Sequence, residues 1–372
     1  MPAPAQPLSA ADVIAPAFER MKTQLFSPFR WGYWLRMAVV GFLAGETGGG
    51  LNFPSSFNIS ERSGSGRHLL AASDLPFRWG PGMLPWLIVL AVAVVALIFV
   101  FLYLHSIFRF ILFDSVLIGD CSIRRMWTRR QEIGQRYFLW LIFFQLGVLF
   151  IFCLVVGIPL LSWWRSGVFE NPQAHLGTLI GGGLLLLPII LLLAAIAAVI
   201  TVIVRDFLIP RMALEGLSVG EAWSQAKPGL AAEKGKMVVY FLLKLLLNIA
   251  FSIALGIASF LVILVLMIPA VIIGALFFAV FSSGGAKGAA MAVLVVLIGL
   301  LVLAFVALII FFVIALFSVP AAVFFQSYAL YFVGSRYPAL AKLLWPEQPA
   351  PPVSPPAPLP LVPGPPAEPA PA

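Results

Sequence analysis

Four polar residues lie inside long apolar stretches of this chain: His105, Gln145, Lys244 and Asn248. A group that carries charge or hydrogen-bonds a solute is costly in hydrocarbon, so each marks a place where a proton or substrate path could run. Lys244 and Asn248 are four residues apart and share a helix face. Asp114 and Asp206, close in sequence to Arg109 and Arg205, would add acids to a relay. Such a relay requires several of these groups to converge at one depth. The same residues admit a second reading. Lys244, His105 and both aspartates lie within about two helical turns of an apolar boundary, where long side chains reach the interface and local ion pairs suffice. The centres of the apolar stretches are almost free of ionisable groups, which argues against a proton- or ion-coupled carrier.

A second constellation is basic. Arg124, Arg125, Arg129 and Arg130 crowd one short segment and could hold anionic lipid headgroups, or could serve only to fix topology. The zinc-protease, P-loop, nucleophile-elbow and dinucleotide-binding patterns are absent. The three histidines (His68, His105, His175) and two cysteines (Cys121, Cys153) have no metal-ligand spacing. The sequence therefore implies no catalytic residue, no metal and no cofactor, and points to a non-enzymatic protein. The formal charge of +8 implies no nucleic-acid partner here, because the cations are distributed by membrane topology. The implied partners are membrane lipids, with a homo-oligomer or a membrane-protein partner left open.

The elements that must position these residues follow from composition. Hydrophobic residues make up 62% and charged residues 10% of 372 residues, against about a quarter charged in soluble domains. Several apolar blocks exceed the ~20 residues needed to cross a bilayer. Lipid offers the backbone no partners, and barrel-type alternation is absent, so the blocks must be helices. The expected fold is an all-α polytopic transmembrane bundle of about six spans. The spans fall at roughly 31–45, 83–110, 137–163, 179–204, from 237 onward, and 290–317. The first is interrupted by Arg36. Residues 237–281 read first as one crossing to about Met267 followed by a hairpin or re-entrant piece near Pro269 and Gly274, and second as two crossings. Gly41 and Gly45 favour close helix packing within the chain.

Flanking segments complete the organisation. Residues 1–30 are expected to hold an interfacial amphipathic helix, with Ile14, Phe18, Met21 and Leu25 on one face, or else a helix packed on cytosolic loops. Ser9 and Asp12 would form its capping box, or Pro16 would sit in its first turn. Residues 31–345 form the membrane domain. Residues 321–336 read as an aromatic segment at the membrane surface. From 346 to 372 the chain is rich in Pro and Ala and is expected to be a disordered cytoplasmic tail. No cleaved signal peptide is expected.

A segment occurs twice without a gap. Arg109 aligns with Arg205, Ser122 with Ser218 and Trp127 with Trp223. Each copy ends one apolar block and precedes another, which implies two repeated helix-elbow-helix units. Each serine would cap an elbow helix lying along the interface, with the tryptophan at headgroup depth. Both copies are basic, as are the N-terminal and C-terminal flanks. The opposite loops hold only Arg62, Arg67, Arg78, Arg165 and Lys287. The positive-inside rule then places both termini and both elbows in the cytoplasm of a bacterial inner-membrane protein.

The string Asp206-Phe-Leu-Ile-Pro-Arg-Met-Ala-Leu-Glu-Gly-Leu-Ser-Val-Gly-Glu-Ala-Trp223 resembles an element of uncharacterised bacterial membrane proteins that are similar to the membrane domain of glycerophosphoryl diester phosphodiesterase. Asp114, Trp127 and the segment from Phe26 to Arg36 fit the same pattern, and the resemblance covers roughly residues 10–340. It implies a membrane domain without the catalytic barrel, because about 250 residues would be needed for one. The leading functional expectation is a membrane scaffold or a protein of membrane and envelope homeostasis. The alternative is a transporter or lipid-handling carrier with a cavity between the repeated helix pairs. A lipid-directed enzyme ranks third.

Overall fold

The computed structural model describes residues 6–46, 84–170, 173–282 and 289–346. The expected tail, most of the 46–82 loop and Lys287 lie outside the described residues. The described chain is helical throughout: α1 (Ile14–Phe26), α2 (Trp31–Leu43), α3 (Leu84–Ile118), α4 (Ile123–Arg165), α5 (Leu176–Ile203), a π-helical turn (Val204–Leu208), α6 (Ile209–Glu215), α7 (Val219–Ala232), α8 (Lys234–Ser282), α9 (Ala289–Phe317), α10 (Val319–Gly334) and α11 (Pro338–Leu344).

Five segments are long and apolar enough to cross a membrane: Pro85–Ile118, Ile123–Arg165, Leu176–Glu215, Lys234–Ile268 and Leu297–Gly334. The first expected span is not among them. Helix α2 has 13 residues, about 20 Å at 1.5 Å per residue, against a hydrocarbon thickness of about 30 Å. It stops because Gly45 takes a left-handed φ of +72°, and Glu46 turns inward onto two arginines instead of extending the helix. The expected hairpin near Pro269 is also absent. Helix α8 runs unbroken from Lys234 to Ser282.

Packing is concentrated at one end of the molecule. The buried residues come from α1, α2, the last third of α3, the first third of α4, the π turn, α6, α7, the start of α8, α10 and α11. We call this the hub. From it the apolar segments project as arms that expose large side chains on most sides, such as Val89, Phe143, Leu184, Leu242 and Leu301. Helix α5 has no buried residue along its length. Side-chain contact between arms is local, as where Trp163 of α4 lies over Gly182 of α5.

Helix α10 is the axle of the hub and is enclosed by other helices. From Val319 to Gly334 nearly every residue is buried. A helix that is apolar all round belongs in an interior. Tyr328 stacks on Tyr240 at 5.2 Å between ring centroids and donates to the carbonyl of Ala10 at 3.1 Å. Gly41 presents its bare face to Ala322, which is the close intrachain packing expected of it.

Helix α1 packs one face on α10. Its buried stripe is Val13, Ala17, Met21 and Leu25, whereas Phe18 is exposed. The small residues of that stripe permit close approach, which turns Phe18 outward. Ser9 and Asp12 cap each other reciprocally at 3.2 and 3.3 Å, and Pro16 falls in the first turn.

The two elbows differ. In the second copy, α7 is a separate helix, ended at Glu233 before α8 begins. In the first copy no break occurs, and the amphipathic stretch runs straight into the span as one 43-residue helix. Along it Gly134, with no side chain, lets Ile107 of α3 lie directly against α4.

Arginines close several helix ends. The last carbonyls of a helix lack intrahelical donors. Arg20 donates to the carbonyls of Val116 and Leu117 at 3.0 and 2.8 Å, and Arg109 to that of Ala44 at 3.3 Å. Arg136 reaches the carbonyl of Gly216 at 3.3 Å. Basic residues expected only to set topology therefore also hold the hub together.

Candidate functional site

The deepest polar cluster is built from both copies of the repeat. Arg109 on α3 and Arg205 in the π turn occupy equivalent positions and pair with a single carboxylate, Glu46. A π-helical turn widens the helix by one residue. Here it sends Arg205 toward Glu46 while the next residue, Asp206, faces α8. Asp206 accepts from Lys244 Nζ at 2.5 Å and from the Tyr240 hydroxyl at 2.8 Å. Glu46, Arg109, Asp206 and Lys244 are all buried. Three cations and two carboxylates thus share one interior, and each acid is held by two donors.

A separate pair lies alongside. Arg130 forms a two-pronged bond to Asp114, at 2.6 and 2.7 Å, and donates to the carbonyl of Ala213 at 2.5 Å. This joins α3, α4 and the end of α6. Two-pronged arginine–carboxylate pairs fix orientation as well as charge.

Sequence expectations meet this geometry unevenly. Asp114 and Asp206 do form ion pairs, but with Arg130 and Lys244 and not with the neighbouring Arg109 and Arg205. Arg130 is buried and cannot meet a lipid headgroup, which corrects its assignment. Lys244 faces inward to Asp206. Asn248, one turn on, is half-buried and accepts from Ser252 Oγ at 3.5 Å, while Gln145 is exposed on α4. Lys244 and Gln145 therefore do not turn toward a common space. The nitrogen Nδ1 of His105 lies 3.2 Å from the carbonyl of Leu43, serving the end of α2. Trp127 is half-buried against Tyr103 and Phe108, and Trp223 is exposed.

Glu46 was missed by sequence reasoning, because it falls just past the 31–45 stretch, between two expected spans. Its signal was a lone carboxylate immediately after an apolar helix. Tyr240 was missed because its role depends on α10 and the π turn.

A second candidate lies on the surface. Arg36 of α2 and Arg124 and Arg125 of α4 line a cleft of about 630 Å³ with Ser122, Ile123 and Thr128. Arg36 is steadied by its bond to the carbonyl of Cys121 at 3.3 Å. Burial raises the pKa of the Cys121 thiol and keeps it protonated. Arg129 is exposed on α4 and is not among the cleft-lining residues. Ser122 occupies the cap position of α4 without a side-chain cap bond. In the second copy, Ser218 and Glu221 form a full capping box. The Ser218 N–H and then its hydroxyl, both donated to Glu221, hold that carboxyl below its ordinary pKa.

Among the described residues no group of three His, Cys, Asp or Glu is placed to share a metal ion. No curated protein and no solved structure matches the chain. One family model does, over residues 8–343, from the approach to α1 through α11. The chain belongs to the family described as Family of unknown function (DUF7544).

Proposed function

We propose that this protein is a non-enzymatic scaffold of the bacterial inner membrane, acting in membrane or envelope homeostasis, with hub and termini on the cytoplasmic side. The observation that carries this reading is that both carboxylates of the buried ionic cluster are taken up by the protein's own groups. Asp206 takes up Lys244 and Tyr240, and Glu46 takes up both repeat arginines. These groups act as fasteners between helices, while the arms meet lipid. The excess of basic residues at the hub end supports the orientation. Kinship with the membrane domain of glycerophosphoryl diester phosphodiesterase, suggested by the elbow motif, belongs to the same proposal.

The test has two arms. The double replacement Lys244→Met with Asp206→Leu removes one cation and its paired carboxylate from the cluster together. It should restore envelope integrity to a deletion strain, and wild-type protein in proteoliposomes should add no solute flux over empty vesicles. A flux that Lys244→Met abolishes at normal expression would establish the carrier instead. For orientation, a cysteine at Ser218 should escape membrane-impermeant reagents in intact cells. Labelling there from outside would invert the topology.

A further inference from the structure

We propose that the cleft between α2 and the start of α4 binds the phosphate of an anionic phospholipid headgroup. Its wall carries three guanidinium groups and two hydroxyls, and none of its six lining residues is acidic. The cations converge from distant parts of the chain, since Arg36 lies on α2 and Arg124 and Arg125 on α4. Planar guanidinium forks match phosphate oxygens two at a time. Neither Arg124 nor Arg125 forms an ion pair among the described residues, whereas Arg130 on the same helix is fully engaged with Asp114.

The duplicated elbow gives an independent pointer. In the second copy the carboxylate of Glu221, three residues after Ser218, accepts from the Ser218 N–H at 2.7 Å and from its hydroxyl at 2.8 Å. A negative group thus sits at the start of α7. In the first copy the residue three after Ser122 is Arg125. The same turn has exchanged its built-in anion for a cation, and the first-turn N–H groups of the long helix α4 have no intrahelical partners. Asp120 accepts from the N–H of Cys121 at 2.9 Å, one residue ahead of the cap. An external anion at this turn would take the place that Glu221 fills in the other copy.

The surroundings favour a lipid over a free ion as the source. Trp31, Leu35 and Val39 form an exposed apolar stripe along α2 at four-residue spacing, and Leu35 adjoins Arg36. A phospholipid would lay an acyl chain along that stripe while its phosphate enters the cleft.

The experiment uses the purified full chain in detergent, titrated calorimetrically with dioctanoyl phosphatidylglycerol, dioctanoyl phosphatidylcholine and inorganic phosphate. The anionic lipid should bind at least about tenfold more tightly than the zwitterionic one. Replacing Arg36, Arg124 and Arg125 together by lysine keeps the charge and removes the forks, and should weaken binding about tenfold or more. Arg129→Lys, outside the cleft, should leave it unchanged. Arg125→Glu rebuilds the capping box of the second copy. That variant should stay folded, with a melting temperature no lower than wild type, and should lose the lipid. Inorganic phosphate bound as tightly as the lipid would overturn the lipid as the occupant in favour of a free anion. Unchanged affinity in the triple-lysine variant or in Arg125→Glu, or an equal loss in Arg129→Lys, would overturn the site altogether.

Discussion

Glu46 holds two like charges side by side, and that fixes what its loss should do. With the carboxylate gone, Arg109 and Arg205 face each other in a buried setting. Removing one partner of a buried ion pair costs about 3–5 kcal/mol, while replacing the whole pair by apolar groups is often neutral. Glu46→Gln should therefore destabilise by about 3–5 kcal/mol, and adding Arg205→Met should recover a large part of that loss. Denaturation in detergent followed by tryptophan fluorescence measures both. Additive losses in the double variant would show that the two arginines do not share the carboxylate. At this scale, the residues that pair locally were legible in the sequence. Ser9 and Asp12 sit at capping-box spacing and behave accordingly. Glu46 was not legible, because its partners lie 63 residues and more away. Arg130 was legible in principle. It lies on the stripe Met126, Arg130, Gly134, Tyr137, Leu141, whose helical spacing marks an inward face, whereas Arg129 falls beside it.

The two elbows make a matched pair of helix starts with different chemistry. Ser218→Ala removes a cap oxygen and should destabilise by about 1 kcal/mol. Ser122→Ala should change stability by far less, because Ser122 makes no cap bond. The Glu221 half of the second cap depends on pH. Its carboxyl pKa is lowered in the folded state, so its contribution is complete above the unfolded value. It fades as the pH falls from the unfolded value through the lower folded one. Amide exchange at the first turn of α7 should accelerate over that range in wild type, and the acceleration should be absent in Glu221→Gln. Elements with a regular apolar period were readable from sequence, and α3, α4, α5 and α9 lie close to where composition puts them. What the sequence did not show was how fully α10 is enclosed by protein. Helix α10 carries Gln326, Tyr328 and Tyr331, whose polar tips suggested an interface. Its near-continuous apolar surface was the stronger signal, and the aromatic rings of Tyr240 and Phe251 on α8 close over it. The short α2 also defeated hydropathy, since a half-length helix and the start of a full span look alike until the chain turns at Gly45.

On the scale of the whole molecule, stability and membrane contact are divided between the two ends. The hub is tied by ion pairs, arginine-capped helix ends and stacked rings, whereas the arms bury little against one another. The apolar segments beginning at Pro85, Ile123, Leu176, Lys234 and Leu297 run 34 to 43 residues with the portions clasped in the hub included, and α5, 28 residues with none buried, still exceeds the ~20 that a bilayer of about 30 Å demands. Rods longer than the surrounding oil tilt to fit it, at a small cost per ångström of mismatch. Thinner bilayers should therefore splay the rods and thicker ones gather them, pivoting about a base whose own geometry stays fixed. Spin labels at Ile151 and Leu264 should change separation between short-chain and long-chain lipids, while labels at Arg129 and Leu343 should not. The protein would then act as a calliper, registering lipid thickness as an angle and presenting that angle at its clasped end.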